Sequence, residues 1–359
     1  VTGQPRLDSR SLSGAEFRNI LVRATNWVGD AVMSLPALRA IRDRFPDAHL
    51  TVLAMPWVAD LYGRETFADQ VLPYGFRRGA RDLRPKWSLV GELRRRKYDC
   101  AVLLPNSFES AALVRAAGIP CRVGYRRDGR GWLLTHAITP ASRGEIPRFQ
   151  GYYYLELLRR TGWIDGLPPR LTIRLDGIDQ ARESGRARLA AMGWGTSVIG
   201  LSPGAAFGGA KRWLPERFAE AAKRLAGELS AAVAIFGTPA ERPLCEQVHQ
   251  QLTASGVTSG NLAGETTLRE FIELAAACRL FLTNDSGSMH IASALGIPTV
   301  AVFGATDHVA TGPTGDLARV VREPADCSPC LLRECPIDHR CMTRITTEKV
   351  AKTALDLLK

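Results

Sequence analysis

The 359-residue chain reads as an α/β protein made of two Rossmann-like domains facing each other across a cleft. Three observations predict it. Short apolar runs alternate with helix-length segments, the pattern of βαβ units with parallel strands. Two such series are separated by Trp163-Ile164-Asp165-Gly166-Leu167-Pro168-Pro169, whose two prolines and two nearby glycines mark a linker. In the second series each apolar run ends in a small or polar turn, and in a parallel sheet those turns share the carboxyl edge, where ligands bind. The expected domains are 1–174 and 175–359.

In the first domain, strands are expected over 19–23, 49–54, 70–73, 100–104 and 122–125, with a helix over 31–44 closing the first βαβ unit. In the second, the expected strands are 198–201, 232–236, 280–282 and 299–303. They run into Gly204, Gly237-Thr238, Asp285-Ser286-Gly287 and Gly304-Ala305-Thr306, respectively. With 45% hydrophobic and 23% charged residues the chain is globular, and no apolar run approaches the length of a membrane span. Residues 1–18 contain no apolar stretch of the secretory kind, so a cytoplasmic location is expected. A formal net charge of +11 predicts attraction to something anionic: nucleic acid, a phosphorylated small molecule or an acidic membrane surface. No nucleic-acid-binding module accompanies the charge.

Leu280 to His290 carries the most information. An apolar strand ends in Asn284-Asp285-Ser286-Gly287, and a helix restarts at once. Asp285 or Ser286 suits the cap, Gly287 allows close backbone approach, and the free N–H groups of the helix start form an anion site. His290 follows within about one turn and offers a further donor. Leu201-Ser202-Pro203-Gly204-Ala205-Ala206-Phe207-Gly208-Gly209-Ala210-Lys211-Arg212-Trp213 is a glycine-rich loop ending in a basic pair. Gly204 and Gly209 have the Walker A separation, but Ala210 and Arg212 break that motif. What remains is a backbone able to wrap phosphates and a lysine able to neutralise them.

The loop Ala24-Thr25-Asn26-Trp27-Val28-Gly29-Asp30 leaves the first strand with one glycine where a dinucleotide fingerprint needs three. Asp30 reads either as a helix N-cap or as a carboxylate serving as general base. Basic clusters at Arg77-Arg78, Leu93-Arg94-Arg95-Arg96-Lys97 and Tyr125-Arg126-Arg127-Asp128-Gly129-Arg130 all fall in the first half, where an anionic second substrate would dock. Solvated surface is the other reading. Cys100, Cys121, Cys245 and Cys278 sit in apolar segments as buried thiols. Cys327, Cys330, Cys335 and Cys341 cluster around His339, and this spacing suits either a structural metal clip or a rigid loop of unligated thiols.

Five segments in order resemble the ADP-heptose:lipopolysaccharide heptosyltransferases, the glycosyltransferase family 9 enzymes with the GT-B fold. They are Trp27-Val28-Gly29-Asp30-Ala31-Val32-Met33-Ser34, Leu104-Pro105-Asn106-Ser107-Phe108, Pro203-Gly204-Ala205 with Lys211-Arg212-Trp213, Asn261-Leu262-Ala263-Gly264-Glu265-Thr266, and Thr283-Asn284-Asp285-Ser286-Gly287-Ser288-Met289-His290. Asn26-Trp27-Val28 and the Lys211-Arg212-Trp213 loop favour the type II branch over types I and III. The resemblance implies an inverting transfer of L-glycero-D-manno-heptose from ADP-heptose to the lipopolysaccharide inner core, with no cofactor. No Asp-x-Asp pair of the metal-dependent kind is present.

By the same resemblance Asp30 is the base and Lys211 the second catalytic residue. Lys211, Ser286, Gly287 and His290 hold the donor pyrophosphate, beside Gly204 and Asp285, while Glu241 and Thr266 reach the adenosine. Arg126, Arg127 and Arg130 face the phosphorylated acceptor at the cytoplasmic side of the inner membrane. The cysteine cluster is expected to lie away from the donor-binding turns.

Overall fold

The computed structural model describes residues 12–76 and 82–359. The chain divides into two compact units, Val1–Leu171 and Thr172–Lys359. The Arg77-Arg78 pair lies outside the described residues.

The first unit runs β1 (Asn19–Arg23), α1 (Val28–Arg44), β2 (His49–Ala54), α2 (Pro56–Tyr62), β3 (Gln70–Pro73), α3 (Leu83–Arg96), β4 (Cys100–Leu103), α4 (Phe108–Ala116), β5 (Cys121–Tyr125), β6 (His136–Ile138) and α5 (Gln150–Thr161). Its strands pair in the order β3-β2-β1-β4-β5-β6, all parallel. The central strands are apolar on both faces because helices cover both, so they read as continuous runs rather than alternating ones. Ile20, Val22, Val102 and Leu103 are fully buried.

The second unit begins with α6 (Ile178–Ala191) and β7 (Val198–Ser202), followed by α7 (Pro215–Leu229), β8 (Ala232–Ile235), α8 (Arg242–Ala254), β9 (Ser259–Asn261) and α9 (Leu268–Ala276). Then come β10 (Leu280–Asn284), α10 (Gly287–Ala294), β11 (Thr299–Val302), α11 (His308–Thr311), β12 (Ala318–Val321), α12 (Arg340–Thr343) and α13 (Thr347–Leu357). The sheet order β12-β11-β10-β7-β8-β9, read from β9, repeats the first unit's order, and it too is all parallel. Each unit therefore reverses direction once, between β1 and β4 and between β7 and β10. At that reversal neighbouring loops diverge and leave room for a ligand.

Local chemistry fixes the helix starts. Pro215 occupies the first turn of α7, where its missing N–H costs nothing, and α9 opens with a reciprocal Thr267–Glu270 capping box. Three strands are not evident from the sequence: β6, β9 and β12. Each is an edge or near-edge piece of only three or four residues, too short for periodicity to register.

Helix α6 packs closely on α9 at Gly185, where an added Cβ would lie 1.9 Å from the Glu273 carbonyl oxygen. Gly185→Ala gains about 1 kcal/mol of helix propensity, but forcing the helices apart costs about 1–3 kcal/mol. The net expectation is a lower Tm, read by thermal denaturation.

Candidate active site

The loop after β7 and the turn after β10 meet at the second unit's reversal point, and Asn284 joins them. Its Nδ2 donates to the Pro203 carbonyl at 2.7 Å, and its Oδ1 accepts the Trp213 N–H at 2.9 Å. Asn284 and Trp213 are both fully buried, and Trp213 Nε1 donates to the Ile345 carbonyl. Both ends of the glycine-rich loop are thus anchored, so the loop closes on itself beside β10.

Lys211 reaches from this loop to Asp285, with Nζ 2.6 Å from Oδ2. Thr306, from the turn after β11, donates to the same carboxylate oxygen at 2.6 Å. Asp285 is only 5% exposed, so the ion pair is poorly screened. Ser286 stands at the N-cap of α10, but its side chain does not cap the helix; its hydroxyl bonds that of Thr283 instead. Ser286 thus gives the first-turn N–H groups of α10 no side-chain cap, and the helix dipole favours an anion there.

His290 is buried in α10 at the same turn. Burial lowers its pKa to about 4, Asp285 opposing the fall and Lys211 adding to it. At neutral pH it is an uncharged imidazole, able to donate one hydrogen bond to a pyrophosphate but not to bring it a positive charge.

Gly204 lies against Glu241: a Cβ at Gly204 would come within 2.3 Å of that carboxylate. Glu241 closes a capping box with Thr238, its Oε2 accepting the Thr238 N–H at 2.8 Å and hydroxyl at 2.9 Å. The Thr-x-x-Glu spacing of that box is visible in the sequence. Gly264, at φ +77°, brings the loop carrying Thr266 against Pro239 beside the same box. Gly204, Glu241 and Thr266 thus stand on three neighbouring carboxyl-edge loops of the second sheet.

In the first unit, Asp30 is the third residue of α1, not its cap; Trp27 occupies the cap position. The buried Tyr154 hydroxyl donates to Asp30 Oδ1 at 3.4 Å. Burial and the Asp30 charge push the Tyr154 pKa well up, so the phenol stays protonated. Arg23 is buried beneath the loop, with its guanidinium 2.7 Å from Asn26 Oδ1 and stacked on Tyr74.

The three arginines at the end of β5 separate. Arg126 and Arg127 are exposed, Arg127 lying over the Tyr153 ring. Arg130 is fully buried, and its guanidinium donates to the Tyr125 and Pro105 carbonyls and to Ser110 Oγ. Burial lowers its pKa to about 10. With its donors turned inward, Arg130 pins the Leu104-Pro105-Asn106-Ser107 loop rather than facing an acceptor. A sequence-level charge run carries no information on which members are buried.

The cysteine cluster also departs from expectation. Cys327, Cys330, Cys335 and Cys341 are free thiols, and burial and the other three raise the Cys341 pKa. Among the described residues, no group of three or more His, Cys, Asp or Glu side chains is placed to hold a metal ion. The metal clip is therefore not supported. Nor is the cluster remote from the carboxyl edge. Ser328 Oγ donates to the Gly304 carbonyl, the Leu331 N–H donates to the Ala305 carbonyl, and a Cβ at Gly304 would lie 2.8 Å from Cys341 Sγ. The segment folds back after β12, and without that strand, which the sequence does not announce, its position cannot be read.

Comparison with known proteins places the chain. The profile of glycosyltransferase family 9 (heptosyltransferase) matches residues 86–340. Lipopolysaccharide heptosyltransferase 2 of Escherichia coli strain K12 is 34% identical over 307 residues, covering 84% of this chain and 87% of that protein. The chain belongs to glycosyltransferase family 9. Lipooligosaccharide heptosyltransferase 2 of Haemophilus influenzae is another family 9 relative, 33% identical with 85% of this chain and 88% of that one covered. The solved structure of E. coli ADP-heptose lps heptosyltransferase II superposes with a TM-score of 0.79 at 31% identity, covering 95% of this chain and 98% of that one. This family 9 chain is accordingly a glycosyltransferase of the GT-B class, as the sequence motifs implied.

Between the ordinary histidine value of 6.5 and about 4, His290 binds its proton in the unfolded chain but not in the folded one, so stability falls as pH is lowered through that window. His290→Gln keeps the residue polar without the titration. Urea midpoints between pH 4 and pH 7 are expected to slope less in this variant than in the parent.

Proposed function

We propose that this chain is a type II heptosyltransferase, moving L-glycero-D-manno-heptose from ADP-heptose to the lipopolysaccharide inner core with inversion at the anomeric carbon. The observation that carries the reading is the Lys211–Asp285 turn, where a lysine and an uncapped helix N-terminus converge at the sheet's reversal point. The donor diphosphate binds there, with Gly204, Glu241 and Thr266 on the nucleoside side. The relatives named as heptosyltransferase 2 support the donor and acceptor classes.

In the proposed reaction the acceptor hydroxyl oxygen bonds to the anomeric carbon as the bond from that carbon to the β-phosphate oxygen breaks. Asp30 takes the hydroxyl proton, and ADP leaves with the electron pair. Lys211 and the N–H groups of Ser286 and Gly287 meet the charge that grows on the leaving diphosphate, an interaction stronger in the transition state than before it. His290 adds a neutral donor. No cofactor is assigned.

The acceptor lies on the first unit's carboxyl edge, where exposed Arg126 and Arg127 are joined by exposed Trp27, Trp57, Trp132 and Phe108. Basic and indole groups together suit a phosphorylated acceptor at a membrane surface, so peripheral contact with the cytoplasmic face of the inner membrane belongs to this proposal. No described helix is long and apolar enough to cross a membrane.

The deciding experiment offers ADP-heptose, a GDP-sugar and a UDP-sugar with a defined inner-core acceptor and measures nucleotide release. Release confined to ADP-heptose, with acceptor glycosylation, supports the reading; turnover with another donor assigns a different family 9 activity, and nucleotide binding without turnover a non-catalytic role. Asp30→Asn keeps an acceptor for the Tyr154 hydroxyl, so the fold and ADP affinity should persist while kcat falls by about 10²- to 10⁴-fold. Lys211→Ala should weaken ADP binding by about 1.5–3 kcal/mol with little change for adenosine, compared by calorimetry.

A further inference from the structure

The segment 331–339 does more than follow the cysteines. It is bonded to the lysine loop at three backbone groups of two successive residues. The Gly209 N–H donates to Glu334 Oε1 at 3.0 Å. The Ala210 N–H donates to the Arg333 carbonyl at 2.9 Å, and His339 Nε2 lies 3.0 Å from the Ala210 carbonyl, a contact in which Nε2–H is the donor. These bonds hold the single helical turn Gly209–Lys211, which delivers Lys211 to Asp285.

The approach is close enough to exclude side chains. A Cβ at Gly208 would lie 2.2 Å from the Arg333 carbonyl oxygen, and one at Gly209 2.4 Å from Glu334 Oε2. Aromatic stacking reinforces the bonds: Phe207 has the Lys211 ammonium 5.1 Å and the Arg333 guanidinium 5.3 Å from its ring centroid. Leu331 and His339 bracket the segment at φ +59° and +56°, a conformation L-residues rarely adopt. Its backbone is anchored at Leu331 to the turn after β11.

We propose that 331–339 is a positioning strap for Lys211, with Glu334 and His339 as its positioning residues. Both act through the backbone of the loop that carries Lys211. A loop carrying Gly204, Gly208 and Gly209 has more conformational freedom to lose than one with side chains at those positions. The strap removes that freedom in the unliganded protein, so the lysine is in place before a diphosphate arrives. The inference rests on the proposed role of Lys211 in holding the diphosphate.

Four single variants of the full chain test it: His339→Ala, Glu334→Ala, His339→Gln and Glu334→Gln. Glutamine keeps a side-chain N–H in the first case and a carbonyl acceptor in the second. Hydrogen–deuterium exchange of the unliganded protein over 204–213 should accelerate in the alanine variants and return toward the parent rate in the glutamine variants. ADP affinity should fall by about three- to tenfold in each alanine variant, the worth of one hydrogen bond, recover with glutamine, and leave adenosine affinity unchanged. Unchanged exchange, equal losses for ADP and adenosine, or glutamine variants as impaired as alanine would each overturn the strap. Faster exchange with unchanged ADP affinity would overturn its role in donor binding. A parent chain that binds no ADP would instead overturn the reading of the Lys211 site, while the exchange data still decide whether the strap orders the loop.

Discussion

One buried amide holds the second unit's site together. Asn284 closes β10 and commits its side chain to two backbone groups of the loop after β7. Its burial means that losing either partner would leave a polar group unsatisfied, a cost of about 1–3 kcal/mol. Everything downstream follows from the closure. Trp213 is fixed in the core, and Lys211 stands two residues before it. The loop has little choice but to present the lysine beside the Asp285 turn.

The opposite charges of that turn are paired within the protein itself. Asp285 faces Lys211, receives a second hydrogen bond from Thr306, and stands at the mouth of a helix whose dipole also favours an anion. His290 adds no charge because burial keeps it neutral. In the first unit Asp30 is partnered by a protonated phenol, and Arg23 is turned inward to the loop backbone rather than toward solvent. In both units the charges near the reversal point are placed by hydrogen bonds from buried or half-buried neighbours, which is what preorganisation requires.

Much of this is legible in the sequence, for reasons that differ by residue. The central strands are visible because doubly covered parallel strands are long apolar runs, and the turns after them are visible because glycine, proline and small polar residues end such runs. Lys211 and Asp285 can be singled out from composition and position, but their pairing cannot. Their separation of 74 residues is closed by the β7–β10 ladder and the Asn284 side chain. Arg126, Arg127 and Arg130 look alike, and only packing shows that Arg130 is consumed by the Leu104–Pro105 loop. The position of the cysteine segment is hidden because β12 is short and half-exposed, so nothing in its sequence announces that the chain adds a strand and turns back. Tyr154 and Thr306 carry no signal, since each acts through a partner distant in sequence.

The Lys211–Asp285 pair also bears on how a catalytic cycle ends. A lone buried cation would cling to a departing diphosphate, because leaving would strand it without a counter-ion. Here the counter-ion is built in, 2.6 Å away, and Thr306 holds it there. On the proposed role of this turn, the carboxylate is a resident competitor for the spent nucleotide. On that role, affinity for ADP would be traded for rapid emptying, and the ground state set against product inhibition.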